Sequence, residues 1–217
     1  MAIMFAFYGL MYAAFWAIIA GAVFDFFDGM TARLLHVSSP IGKELDSLAD
    51  VVTFGVAPSA ILFSYLVYFP GNKLSIWGAA VVFLMAAFSA LRLAKFNLDE
   101  RQTMGFIGMP TPANALFWSS LVVGWGRQLW TMPSTPVILL VLMLLSCYLL
   151  VSEIPMFALK FKTWGWRGNE VKWVFLLSCI PLVLWLGYAA PSVIIAWYLL
   201  LSILTQKHSS EPTTPNS

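Results

Sequence analysis

Charge is scarce in this sequence. Lys, Arg, Asp and Glu together make up 10% of its 217 residues, where a water-soluble domain carries about 25%. Hydrophobic residues reach 60% and the mean hydropathy is +0.83, so the chain cannot cover a surface in water. A soluble globule is excluded. The formal net charge of +2 comes without the clustered Lys and Arg of a phosphate-tracking surface, which excludes nucleic acid as a partner. Cysteine and histidine are almost missing. Cys147 and Cys179 each sit in an apolar run with no CxxC or Cys/His companion, and His36 and His208 have no partner at a useful spacing, so neither a disulfide framework nor a zinc site is supported. The amino terminus lacks a basic region and a small-residue cleavage site, so it reads as a membrane span and not as a removable signal. No internal repeat and no low-complexity block is visible.

What is present is enough apolar sequence for about six or seven bilayer crossings at ~20 residues each. The uncharged runs are 2–24, 45–69, 74–91, 112–130, 136–159, 171–186 and 191–204, the second interrupted by Asp46 and Asp50. Backbone groups in hydrocarbon must bond within their own segment, so each run is expected to be an α-helix; little two-residue alternation argues against a barrel. The expected fold is all-α, a polytopic bundle of about seven helices occupying 1–204, with residues 205–217 as a disordered cytoplasmic tail. Pro70-Gly71-Asn72, Met132-Pro133-Ser134 and Gly187 with Pro191 supply tight turns on one side. The other side collects Arg33, Lys43, Arg92, Lys95, Arg101, Lys160, Lys162, Arg167, Lys172 and Lys207, against only Lys73 and Arg127 opposite. That asymmetry places the basic side in the cytoplasm and the amino terminus outside. The acidic residues lie on or near the same side, so any chemistry faces the cytoplasm. Trp164 and Trp166, flanking a basic loop, suit a headgroup boundary.

The four aspartates between positions 25 and 50 stand beside apolar segments, where ionisable groups are costly and are functional suspects by default. Asp25 and Asp28 are three apart, Asp46 and Asp50 four apart, so each pair shares one helical face. Two antiparallel helices can thus offer four carboxylates to one cleft, and carboxylates so close repel unless cations lie between them. An oxygen-only set favours magnesium, manganese or calcium over zinc. Gly29, Ala32 and Gly42 leave room for a ligand near the backbone, Arg33 suits phosphate oxygens, and Ser39 adds a hydroxyl. A carboxylate pair at a helix end is ordinarily a solvated cap; four acids with Gly, Ala and Arg at these intervals are not. Arg92 and Lys95, three apart and followed by Asn97, can hold an acceptor carboxylate or serve as plain cytoplasmic anchors, and Glu153 can touch an acceptor ammonium.

Residues 25–50 read DFFDGMTARLLHVSSPIGKELDSLAD, which resembles D-x2-D-G-x2-A-R-x8-G-x3-D-x3-D, the signature of the CDP-alcohol phosphotransferases. LDSLADVVTFGVAPS, SALRLAKFN, FIGMPTPANA and SEIPMFALKFK are similar to its serine-using branch. The resemblance implies transfer of a phosphatidyl group from CDP-diacylglycerol to L-serine in membrane phospholipid biosynthesis. It implies two divalent ions, magnesium or manganese, held by Asp25, Asp28 and Asp46 with Asp50 nearby. Asp50 is then the general base, and Asp28, Gly29, Ala32 and Arg33 contact the nucleotide diphosphate, with Ser39 and Gly42 as further phosphate-binding candidates from their place beside the acids. It also implies a homodimer in a bacterial inner membrane. That branch carries one more membrane helix ahead of the one bearing the first aspartates, whereas this chain starts at Met1 inside what resembles the second. Competing readings are the same transfer to glycerol 3-phosphate or inositol phosphate, which demands more cationic residues, a divalent-cation transporter, and a scaffold without catalysis. Against a transporter, no acid lies in the outer half of any run to continue an ion path.

Overall fold

The computed structural model describes residues 1–36, 39–70, 74–98, 106–156, 165 and 169–209. Lys73, Arg101, Lys160, Lys162, Trp164, Trp166, Arg167 and the tail from 210 onward lie outside them. The described chain forms α1 (Ala2–Phe7), α2 (Met11–Leu34), α3 (Pro40–Val67), α4 (Ile76–Leu98), α5 (Thr111–Leu129), α6 (Thr135–Val151), α7 (Glu170–Leu186) and α8 (Ala190–Ser209). A short antiparallel ladder joins β1 (Phe106–Ile107) to β2 (Pro155–Met156), in register Phe106 to Met156 and Ile107 to Pro155. The architecture is the expected all-α membrane bundle.

Four segments are long and apolar enough to cross a bilayer by length and composition: α2, α3, α4 and Glu170–Leu204. The last, 35 residues long, would reach about 50 Å if straight. It does not run straight, because Gly187 takes φ 53 and ψ −118 and the indole N–H of Trp197 donates to Ser178 Oγ at 3.1 Å. Residues nineteen positions apart can touch only if α7 and α8 fold back on each other as a hairpin. With α5 and α6, seven of the eight described helices follow the seven apolar runs, and α1 shares the first run with α2.

Four boundaries differ from the sequence expectation, the last being that α8 runs on to Ser209, so 205–209 are helical and not part of a disordered tail. The run 2–24 is divided, since Gly9 at φ 74 turns the chain between α1 and α2. α2 then continues to Leu34, which places Asp25 and Asp28 inside the helix rather than at its end. The run 136–159 is helical only to Val151: Ser152 adopts extended backbone, and the chain pairs with β1, where Gly108 N–H donates to the Ile154 carbonyl at 2.9 Å.

Helix α3 is central. Its second half, Ala57–Val67, buries nearly every side chain from Ala57 to Leu66 among Trp118 of α5, Met85 of α4 and Met143 of α6. Three buried serines in these helices donate to the carbonyl one turn back: Ser59 to Gly55, Ser89 to Met85 and Ser119 to Ala115, at 2.7–2.8 Å. That is how hydroxyls survive in hydrocarbon. Trp118 Nε1 donates to Ser146 Oγ at 3.1 Å, and Ser146 in turn to Asn114 Oδ1, which ties α5 to α6 by a buried polar chain. α2 keeps little of its apolar surface inside the protein, as suits a helix facing lipid.

Candidate active site

Two helices supply the acids. α3 starts where Ser39, in extended backbone, caps it by accepting from Gly42 N–H at 3.0 Å, with Pro40 as the first helical residue. A Cβ at Gly42 would lie 2.9 Å from that same hydroxyl, so the glycine keeps the cap unobstructed. From this start Asp46 and Asp50 fall four apart on one face. On α2 the Arg33 Nε donates to the Gly29 carbonyl at 2.9 Å, folding the guanidinium back one turn toward the end of the helix that bears Asp28.

The structure brings the pairs together. Carboxylate oxygens of Asp25, Asp28 and Asp46 lie within 4.8 Å of one another, partly or fully exposed. The charges that bear most on Asp25 and Asp46 are other carboxylates: Asp46 and Asp28 on the first, Asp28 on the second. Three like charges at this range are stable together only with positive charge among them. The donors are all hard oxygens with no His or Cys, which is the set that magnesium, manganese or calcium prefers. The residues present therefore fit a divalent ion. Asp50 stands beside this trio, within hydrogen-bonding reach of Asp25, and the charge of the Arg92 guanidinium bears on it together with those of Asp25 and Asp46.

What sets these distances is a close helix crossing. A Cβ built at Gly21 of α2 would lie only 2.6 Å from Thr53 Cγ2 of α3, so the Thr53 side chain packs into space that only glycine leaves on α2. Gly21 is one turn before Asp25, and Thr53 is one turn after Asp50. On the other flank of α3, a Cβ at Gly55 would meet Ser89 Cβ at 3.1 Å and Ala86 Cα at 3.3 Å, bringing α4 equally close one turn below Arg92. Between these contacts α3 is not a regular α-helix: Val51–Val56 is a π-helical segment, a feature often found beside functional groups.

Arg92 is the most buried charged side chain among the described residues, 8% exposed. Its Nη1 lies 3.5 Å from Thr111 Oγ1, its guanidinium sits 5.7 Å from the Phe96 ring centroid, and its Nε has no hydrogen-bond partner. Lys95 is exposed. The Asn97 side chain does not point into a free pocket but donates to Ser47 Oγ at 2.9 Å. Ala32 and Glu153 are exposed. Sequence reasoning did not single out Gly21, Ser47, Thr53 or Thr111. Only Thr111 carried a local signal, as the hydroxyl residue between two prolines that opens α5.

Comparison with known proteins agrees with this geometry. A family model described as CDP-alcohol phosphatidyltransferase matches residues 1–205. The chain is 34% identical over 193 residues, 88% of its length and 78% of the relative's, to a CDP-diacylglycerol–serine O-phosphatidyltransferase of Helicobacter pylori (strain ATCC 700392 / 26695). A protein of the same name from Bacillus subtilis (strain 168) is 43% identical over 105 residues, 48% of this chain and 57% of that one. Another from Methanocaldococcus jannaschii is 44% identical over 94 residues, 43% of this chain and 42% of that one.

Proposed function

This chain belongs to the CDP-alcohol phosphatidyltransferase family, and from that premise we propose that it transfers the phosphatidyl group of CDP-diacylglycerol to the hydroxyl of L-serine, giving phosphatidylserine and CMP. The observation that carries this reading is the convergence of Asp25, Asp28 and Asp46, with Asp50 in hydrogen-bonding reach of Asp25. Two divalent ions, magnesium or manganese, held by Asp25, Asp28 and Asp46 with Asp50 nearby, would neutralise the diphosphate and the departing CMP.

The chain's own groups account for the rest. The backbone around Gly29 and the guanidinium of Arg33 face the nucleotide diphosphate, with Ala32 leaving space beside them. Asp50 takes the proton from the serine hydroxyl as its oxygen bonds to phosphorus and the bond from phosphorus to the CMP oxygen breaks. Arg92 receives the serine carboxylate. Its buried, unpartnered Nε is a donor that water cannot reach freely, and a bound carboxylate would satisfy it by a charge-assisted bond. On this reading the acceptor lies near its base, which the influence of the Arg92 charge on Asp50 supports. A serine-sized amino acid needs this single cation, whereas a phosphorylated alcohol would need more.

Residues 1–204 constitute the membrane enzyme, with the site at the cytoplasmic face of a bacterial inner membrane, as the ten-to-two partition of Lys and Arg supports. The working unit is a homodimer. The decisive experiment supplies the purified full chain with CDP-diacylglycerol, magnesium or manganese, and a panel of alcohols, and measures CMP release. Serine-dependent release that stops on chelation and returns with metal supports the assignment. Release driven by glycerol 3-phosphate or inositol phosphate instead would reassign the acceptor, and metal uptake without any CMP would favour a transporter.

A further inference from the structure

The first half of α3 carries Asp46 and Asp50, yet no residue of Pro40–Asp50 is buried. Apolar packing does not hold this stretch, in contrast to the second half of the helix, which is locked in the core. The exposed half is instead fastened to the end of α4 by a closed ring of three hydrogen bonds. Asn97 Nδ2 donates to Ser47 Oγ at 2.9 Å, Ser47 Oγ donates to the Lys43 carbonyl at 3.1 Å, and Lys43 Nζ donates to the Asn97 carbonyl at 3.2 Å. Each residue gives one bond and accepts one.

Lys43 and Ser47 are four apart and share a face of α3; Asp46 and Asp50 occupy the adjoining face. At about 100° per residue, a rotation of α3 about its own axis that turns the acids away from α2 also turns Lys43 and Ser47 away from Asn97 and opens the ring. A force for that movement exists. With no cation among them, carboxylates within 4.8 Å of each other repel, which favours turning the Asp46 face of α3 away from α2. We infer that Asn97 is a positioning residue: through Ser47 and Lys43 it holds Asp46 at the separation from Asp25 and Asp28 that a divalent ion requires, so the site is preorganised before the ion arrives. The inference rests on the reading of these three acids as the metal site.

The test uses the purified full chain in detergent and follows free Mn2+ by its electron paramagnetic resonance signal, which reports binding without turnover. Loss of one net hydrogen bond predicts that Asn97→Ala or Ser47→Ala each weakens Mn2+ binding by about threefold to tenfold. The double variant should be no weaker than either single one, because both break the same ring. Ser47→Thr, which keeps the hydroxyl, should bind Mn2+ like the parent, and the KM for serine at saturating Mn2+ should not move. Unchanged Mn2+ affinity in Asn97→Ala, additive losses in the double variant, or a raised serine KM would overturn the inference. Asp46→Asn separates the two levels. If it abolishes Mn2+ binding while Asn97→Ala does not weaken it, only the positioning role falls; if it leaves Mn2+ binding intact, the metal-site reading falls and takes the inference with it.

Discussion

Replacing Gly21 by alanine is a small change far from any reacting atom, and it should nearly silence the enzyme. The added Cβ would stand 2.6 Å from Thr53 Cγ2, where carbon atoms ordinarily approach to about 3.5–4.0 Å. Thr53 can escape only by turning χ1, which a helix restricts for a β-branched side chain. The alternative is for α2 and α3 to part by about 1 Å at the crossing. Asp25 lies one turn from Gly21 and Asp50 one turn from Thr53, so most of that separation reaches the carboxylates. A misplacement of ~1 Å in a catalytic constellation can cost ~100-fold in rate, or about 2.7 kcal/mol at 1.36 kcal/mol per tenfold. Intrinsic helix propensity moves the other way, since Gly→Ala favours an isolated helix by about 1 kcal/mol. The assay is serine-dependent CMP release alongside thermal melting of the detergent-solubilised protein. Thr53→Ala supplies the control. It removes Cγ2, leaves Thr53 Cβ at 3.9 Å as the nearest side-chain atom, and should restore most of the rate to Gly21→Ala. Retention of activity within about threefold in the single variant, or no recovery in the double one, would refute the claim that this crossing sets the carboxylate spacing.

Three further outcomes are expected. Asp50→Asn preserves shape but cannot take a proton, so kcat should fall by about 10²–10⁴ while CDP-diacylglycerol still binds; more than a tenth of the parent kcat would remove Asp50 from the role of base. Arg92→Gln deletes a charged donor set and should raise the KM for serine by about tenfold to a hundredfold, from about 1.5–3 kcal/mol for bonds to a charged group. An unchanged KM there would place the acceptor carboxylate elsewhere. For sidedness, single cysteines replacing Glu44 and Arg127, both exposed, in a background without Cys147 and Cys179 should be labelled from opposite faces of the membrane. Labelling of both from one face would contradict the helix count.

The bundle and the four acids were legible in the sequence because both are written in short-range patterns. Apolar runs report spans regardless of what they pack against, and intervals of three and four report a helical face. The break at Gly9 and the end of α6 at Val151 were not legible, since hydrophobicity continues through both. The first is a backbone turn within an apolar run. The second depends on pairing with β1, some fifty residues earlier. The roles of Ser39 and Gly42 show a different limit. Their spacing from the acids suggested ligand contact, whereas geometrically the pair builds the cap of α3. Asn97 looked like an acceptor residue because it follows Arg92 and Lys95 at a cytoplasmic helix end, and nothing in one sequence foretells that its amide meets Ser47. Gly21 and Thr53 carry no local signal either, because each acquires its meaning only from the other helix.

The π-helical stretch Val51–Val56 reconciles two demands on α3 that a regular helix would set against each other. Below it, side chains from Ala57 to Leu66 are buried almost all round; above it, Asp46 and Asp50 must turn toward α2 in a half that buries nothing. In a continuous α-helix the two faces would be locked at a fixed angle by the 3.6-residue repeat. The wider turn shifts that phase, so the acids can be aimed without disturbing the packing of the core half. Gly21 from α2 and Gly55 against α4 press on this segment from either flank, and those same neighbours carry Asp25 and Arg92. The close contacts of Gly21 and Gly55 therefore hold the stretch of α3 just after Asp50 against α2 and α4, while the polar ring at Asn97 steadies the exposed end. A core half locked by packing and an exposed half held by polar bonds suit a site that must accept a bulky lipid nucleotide from the bilayer and a small amino acid from water.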